Sequence, residues 1–276
     1  MKGGGRDIDA LAVGFIVVAM SLCLVVPLAL APPPPNTMVL SDYSTISMEF
    51  VSRSAAWNSG FGLTGPTSTG VLGYSGSATP GTSYLIGTYP AGTEIIAFIS
   101  GAEYGTWNSK NIAHVRVIVE SAQTWRVEFE DMTGGDNDFN DVILRITGEP
   151  QPPVDVGIDI KPFSCPNAIN LGNKGILPVA IFGYPGVLDV MDIDPATVEL
   201  GGVSLAVKKN GNLFFAYEDH NGDGIEDMIC HFSMPELTGG TPPALDADTD
   251  LLILTAELYD GTPISGEDTP WVVPIP

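Results

Sequence analysis

The sequence predicts an all-β chain: two tandem antiparallel β-sandwich domains behind one N-terminal transmembrane or signal helix. Three observations lead there. Short β-rich runs recur along the length, while apolar residues at helical spacing are nearly absent beyond Asn36. Turn formers separate those runs, and the 276 residues include 32 Gly and 23 Pro. One uncharged stretch, residues 10–31, stands apart from this pattern.

That stretch comes first. As a helix it would extend about 33 Å, enough for a hydrocarbon core of roughly 30 Å. Lys2 and Arg6 precede it and no basic residue follows before Arg53, so the positive-inside rule puts the N-terminus in the cytoplasm and the remainder outside. Ala29-Leu30-Ala31 fits a signal-peptidase site, but Pro32 follows directly and the apolar run exceeds the roughly 7–15 residues of a usual signal core. Residues 1–31 are therefore read as a signal-anchor or signal peptide, giving a cell-membrane or secreted protein. Pro32 to Pro35 open a stiff spacer over 32–44.

A first sandwich is expected over 45–147, with strands at Ser83 to Ile86, Glu94 to Ser100, Ala113 to Glu120, Thr124 to Phe129 and Asp141 to Ile146. Gly148-Glu149-Pro150-Gln151-Pro152-Pro153 has the composition of a semi-rigid linker. A second sandwich is expected over 154–276, with strands at Val156 to Ile160, Gly175 to Phe182, Ser204 to Val207, Met228 to Phe232, Leu251 to Tyr259 and Trp271 to Val273.

Charge narrows the function. The chain carries 33 acids against 11 bases, a net −22, and its basic residues do not cluster. Nucleic acid is excluded as a partner, because displacing counterions from phosphate requires concentrated Lys and Arg. The surplus is greater in 151–276, with 19 acids to 4 bases, than in 36–150, with 12 to 5. Such an excess is either a solvated surface or a set of carboxylates that hold divalent cations.

Two stretches fit the second description. Between two strand-like runs, Glu130, Asp131, Asp136, Asn137, Asp138, Asn140 and Asp141 put seven oxygen-bearing side chains into twelve residues. Like charges so close repel unless a cation or backbone amides compensate. Calcium takes six to eight oxygen ligands in flexible geometry, and Gly134-Gly135 permits the sharp turn that would gather them. A self-capped Asx-rich hairpin loop is the alternative. Further on, Asp219, Asn221, Asp223, Gly224 and Asp227 match D-x-N-x-D-G-x-x-D. Spacing by two brings positions 1, 3 and 5 around one ion, Ile225 offers its carbonyl at position 7, and Asp227 closes the shell at position 9. Cys230 stands where an EF-hand needs Glu, so this is not an EF-hand. A polar hairpin without metal is again the alternative.

These stretches also carry resemblances. Phe129-Glu130-Asp131 followed by Gly134-Gly135-Asp136 and Asp138-Phe139-Asn140-Asp141 resembles the signature ending the bacterial and archaeal exoprotein family called domain of unknown function 4114. Ala55-Ala56-Trp57-Asn58-Ser59-Gly60-Phe61-Gly62 and Ala91-Gly92-Thr93 before Ile95 to Phe98 are similar to its earlier strands. The likeness implies a calcium-stabilised sandwich over about 45–147, with Glu130, Asp131, Asp136, Asp138, Asn140 and Asp141 as its acidic cluster and no established activity. The second loop resembles the short calcium loops of integrin-type propeller blades. Ile158-Asp159-Ile160-Lys161-Pro162, Cys165-Pro166-Asn167, Gly175 to Ile181 and Asp194 to Val198 resemble an accessory domain recurrent in secreted proteins, with Phe163 where that pattern has Gly.

No catalytic constellation emerges, and the chain is read as a non-enzyme. Gly73-Tyr74-Ser75-Gly76-Ser77 lacks the closing Gly of a nucleophile elbow, and His114, His220 and His231 have no zinc spacing. His220 is expected to point outward from its loop. Cys165 and Cys230 are the two exported thiols, either a disulfide or two buried small hydrophobes. The expected role is structural or adhesive at the cell surface, with calcium ions, the membrane and other surface proteins as partners. The alternative is a glycan-binding module using aromatics such as Trp57, Tyr74, Tyr84, Tyr89, Tyr104 and Trp107.

Overall fold

Alternation of apolar and polar residues at period two decides most of this structure. The computed structural model describes residues 36–55, 57–102 and 105–273, and the expected transmembrane or signal helix at 10–31 lies outside them. Among the described residues no helix is long and apolar enough to cross a membrane.

Ten strands form the N-terminal half: β1 (Met38–Val39), β2 (Ser44–Ser52), β3 (Gly60–Gly65), β4 (Gly73–Tyr74), β5 (Thr82–Tyr89), β6 (Glu94–Ala102), β7 (Gly105–Asn108), β8 (Val115–Ser121), β9 (Thr124–Phe129) and β10 (Val142–Pro150). One sheet runs β5-β2-β10-β9-β8, the other β1-β6-β3-β4 with β7 also on β6. Every second residue of the central strands is buried: Ile46, Met48 and Phe50 on β2, Trp125, Val127 and Phe129 on β9, Val142, Leu144 and Ile146 on β10. They meet Phe61, Leu63, Ile95 and Ile99 from the other sheet in one core. Phe50 and Phe61 stack across it with ring centroids 5.3 Å apart. On the opposite face of β10, Arg145 pairs with Glu49 at 2.9 Å and Glu120 at 2.7 Å, so the polar half of the alternation is also matched.

Both borders of this half differ from expectation. Met38 and Leu40 are buried in the core and β1 pairs with β6, so the spacer read over 32–44 contributes to the fold. Gly148, Glu149 and Pro150 are not linker; they extend β10 against Ile46, Thr45 and Ser44. Strand β9 stops pairing at Thr147. Beyond it β10 is an edge on that side, where Pro150 lacks no needed donor. A side chain at Gly148 would meet Leu40 Cδ2 at 2.6 Å, which is why the smallest residue stands there. The connection narrows to Gln151–Pro153, and Gln151 N–H still donates to the Tyr43 carbonyl at 2.9 Å.

The C-terminal half contains β11 (Val154–Asp155), β12 (Ile158–Ile160), β13 (Ala168–Asn170), β14 (Ile176–Ile181), β15 (Glu199–Leu200), β16 (Val203–Ser204), β17 (Phe215–Glu218), β18 (Asp227–Ser233), β19 (Leu252–Glu257), β20 (Pro263–Asp268) and β21 (Trp271–Val273). Their orders are β11-β20-β19-β15-β16, β12-β14-β18-β17 and β13-β21. Pairing is antiparallel except for β11 with β20 and β13 with β21, which are parallel. Val179 and Ile181 of β14, Cys230 and Phe232 of β18, and Leu252 and Leu254 of β19 lie in a second core. The one α-helix described, Met234–Gly239, begins with Pro at its first turn and buries Met234 and Leu237. The halves touch where Tyr43 Oη lies 3.2 Å from Thr262 Oγ1.

The cysteine pairing does not form. Cys230 is wholly buried in β18, whereas Cys165 is exposed in the turn before β13, and both thiols are free. Burial pushes the Cys230 thiol up to about 12, which leaves it neutral and inert.

Two measurements follow. Phe61→Ala removes a ring stacked on Phe50 and is expected to cost about 3–5 kcal/mol in chemical denaturation. In a Cys23→Ser background one thiol, Cys165, reacts with Ellman's reagent in the native protein and a second only after unfolding; no native reactivity would restore the bridge.

Candidate metal centre

The turn from β9 to β10 starts from Glu130 and Asp131, which follow the buried Phe129 directly. Strand alternation would send one of them outward, yet they are only 2% and 3% exposed. Glu130 N–H donates to the His114 carbonyl at 2.9 Å, which turns the chain inward at this point. Asp131 N–H donates to Asp141 Oδ2 at 2.8 Å and closes the base of the loop.

The rest of the loop is held from both sides. Phe139 is buried at φ 62° and Asn137 sits at φ 56°, a left-handed backbone that non-glycine residues adopt only when neighbours enforce it. The enforcing contact is the Arg116 guanidinium, 3.7 Å above the Phe139 ring. Asp138 Oδ1 accepts from Asn140 N–H at 3.1 Å, and the Asn140 side-chain amide donates to the other carboxylate oxygen of Asp138. Ser54 N–H, from the segment after β2, reaches the Asn140 carbonyl at 3.1 Å and the Asp141 carbonyl at 3.3 Å.

The outcome is a convergence of negative charge. Glu130, Asp136 and Asp138 place carboxylate oxygens within 4.8 Å of one another, the one such trio of His, Cys, Asp or Glu among the described residues. Glu130 Oε2 and Asp131 Oδ2 are buried without a hydrogen-bond partner. A β-carbon at Gly135 would collide with Glu130 Oε1, so the carboxylate occupies the space a side chain would take. Burial, then the neighbouring Asp141, raises Glu130 above the usual carboxylate range, with the Phe139 amide as partial offset. Burial and Asp141 likewise raise Asp131, to about 6. A cavity of about 180 Å³ opens over these groups, walled by Trp57 and Met132 as well as by Glu130, Asp131 and Asp136. An oxygen-only donor set, with Glu130 buried and Asp136 and Asp138 exposed, is of the kind that could hold a hard divalent cation.

The second loop solves the same problem differently. Asp219 accepts from Gly222 N–H at 2.8 Å and Gly224 N–H at 3.0 Å. Asp223 accepts from Ile225 N–H at 2.8 Å and from the Asn221 side chain at 3.0 Å. Asp227, wholly buried at the start of β18, accepts from Gly183 N–H and His220 N–H, both at 3.0 Å. The carboxylates at positions 1, 5 and 9 are thus bonded within the protein. Ile225 lines a separate cavity with Tyr184 and Asp189.

No family model, curated protein or solved structure matches the chain. Function is therefore argued from the groups themselves. Trp57 beside the acidic loop is a relation that no local spacing in the sequence reveals. Of the aromatics considered for glycan binding, Trp57 and Tyr74 are substantially exposed; Tyr84, Tyr89 and Trp107 pack against the core, and Tyr104 lies outside the described residues. His220 does not point outward: its side chain is 8% exposed and its ring lies 3.9 Å from that of Phe163. His114 stacks on Trp107 at 3.9 Å and His231 on Phe214 at 4.0 Å. Ser75 is buried and its hydroxyl accepts from Ser59 N–H at 3.0 Å.

With metal chelated, the raised Asp131 leaves a signature in pH. The unfolded chain gives up this proton near 3.8 and the folded protein only near about 6. Its contribution to stability is full below the lower value and lost as pH rises through the upper one. Urea unfolding in EDTA between pH 4 and 7 should show a fall in the wild type that Asp131→Asn flattens; equal slopes would refute the assignment.

Proposed function

We propose that this protein is an exported surface protein, anchored through residues 10–31 or released by their cleavage, whose two tandem β-sandwiches are stabilised by calcium and serve a structural or adhesive role. The observation that carries the reading is the buried, unpartnered Oε2 of Glu130, one of three carboxylates whose oxygens lie within 4.8 Å of one another. Leaving carboxylates dry and unpaired is costly, and a bound cation removes both the desolvation and the repulsion.

Further support comes from the two separate cores, each enclosed by strands of more than one sheet. The likeness of residues 45–147 to the exoprotein family named above points the same way. Glu130, Asp136 and Asp138 are the ligands in this reading, with Asp131, Asn140 and Asp141 shaping the loop behind them. At the second loop Asp219, Asn221, Asp223, Asp227 and the Ile225 carbonyl form a second calcium site, reached by exchanging some amide contacts for the ion. Calcium outside the cell suffices for sites with dissociation constants of roughly 10⁻⁴–10⁻³ M, so such a fold tightens after export.

A thermal melt of the full-length protein in detergent tests this. Calcium at a hundredfold excess over its dissociation constant should raise Tm by roughly 5–10 °C over EDTA. The double variant Asp136→Asn, Asp138→Asn should lose the part of that rise that the first loop supplies. Glu130→Gln should lose it too, yet melt higher than wild type in EDTA because its buried charge is gone. An unchanged Tm with calcium would sink the reading.

A further inference from the structure

We infer that the acidic cavity at the end of β9 is a calcium-dependent sugar site, in which Trp57 stacks on the apolar face of a neutral pyranose while a vicinal pair of its hydroxyls completes the shell of an ion held by Glu130, Asp136 and Asp138. The inference rests on the calcium reading above and adds a ligand to it.

Its starting point is the wall opposite the acids. Trp57 lines the same cavity as Glu130, Asp131 and Asp136, and its side chain is 47% exposed. Met132, at 40% exposure, forms another apolar part of that rim. An indole left half in water beside these carboxylates keeps exposed surface that suits a flat, partly apolar ligand.

Trp57 is also held in place. Ser54 N–H bonds to the Asn140 and Asp141 carbonyls, tying its segment to the acidic loop. Arg53 Nη2 donates to the Ala55 carbonyl at 3.0 Å, and the Ser75 hydroxyl donates to the Trp57 carbonyl at 3.4 Å. Ser54 and Trp57 are therefore both hydrogen-bonded through their backbone, and a fixed aromatic loses little freedom when a ligand stacks on it.

The floor supplies the other half of recognition. Three converging carboxylates leave a cation of six to eight oxygen ligands short of its complement. The cavity that Trp57 also lines is where further ligands can enter. Neutral oxygen donors suit that position, because a chain of net charge −22 repels anions. A pyranose with an unsubstituted vicinal diol offers two such oxygens on a rigid ring, together with a C–H face for the indole.

The test uses full-length protein in detergent on an array of mannose-, glucose-, galactose- and fucose-terminated glycans, in calcium and in EDTA, beside calcium-dependent melts of the same samples. Binding to at least one neutral terminal sugar is expected in calcium, with loss in EDTA. Trp57→Ala should weaken it at least tenfold while keeping the wild-type calcium shift in Tm, and Trp57→Phe should recover part of the affinity. A wild-type calcium shift with no glycan bound would overturn the sugar site and leave the calcium reading standing. Loss of both would remove both. Binding that persists in EDTA, or equal binding by Trp57→Ala, would equally overturn the inference.

Discussion

The constraint on which this structure turns is the placing of excess negative charge. A chain with three times as many acids as bases cannot pair its carboxylates with cationic side chains. Most of them face water, where repulsion is screened. On the outer face of β10 the scarce arginines are concentrated, and Arg145 serves Glu49 and Glu120 together. Glu130, Asp131 and Asp227 are buried instead; Asp227 is met by backbone amides, while Glu130 and Asp131 each keep an oxygen without a partner.

The two acidic loops show how differently one charge problem is met. In the loop before β18 glycines at φ 78° and φ 89° turn backbone amides toward Asp219, and those amides neutralise the carboxylate in place. In the loop before β10 the left-handed positions are Gly134, Asn137 and Phe139, and of these Phe139 is buried under the Arg116 guanidinium. Fewer amides turn inward, and charge is left over. The regularly spaced acids thus have their charge met by backbone amides, while the irregular cluster keeps buried oxygens without a hydrogen-bond partner.

Much of the fold was legible because alternation speaks directly: the expected runs at Thr124 to Phe129 and Trp271 to Val273 coincide with β9 and β21. The borders were not, since Pro150 reads as linker until the early end of β9 makes its side of β10 an edge. At the site the acids were legible by type, but their relative standing was not. Whether an oxygen is already bonded depends on where backbone amides point, as at Asp227 with Gly183. Trp57 beside Glu130, and the exposure of Cys165 against the burial of Cys230, are products of tertiary packing that no local pattern encodes.

The ladder between β2 and β10 has a directional consequence. At one end Pro150 lies opposite Ser44, and there the chain leaves through Gln151, whereas Asn36, ahead of β1, is hydrogen-bonded to Val115 and Val117 towards the other end. At the other end Val142 lies opposite Phe129, next to the acidic loop. Nine residues of β10 separate the two, about 27 Å of extended strand. The exit of the N-terminal half through Gln151 and its acidic loop are therefore at opposite ends of β10. A ligand can therefore reach the acidic loop without displacing the short segment that joins the two halves.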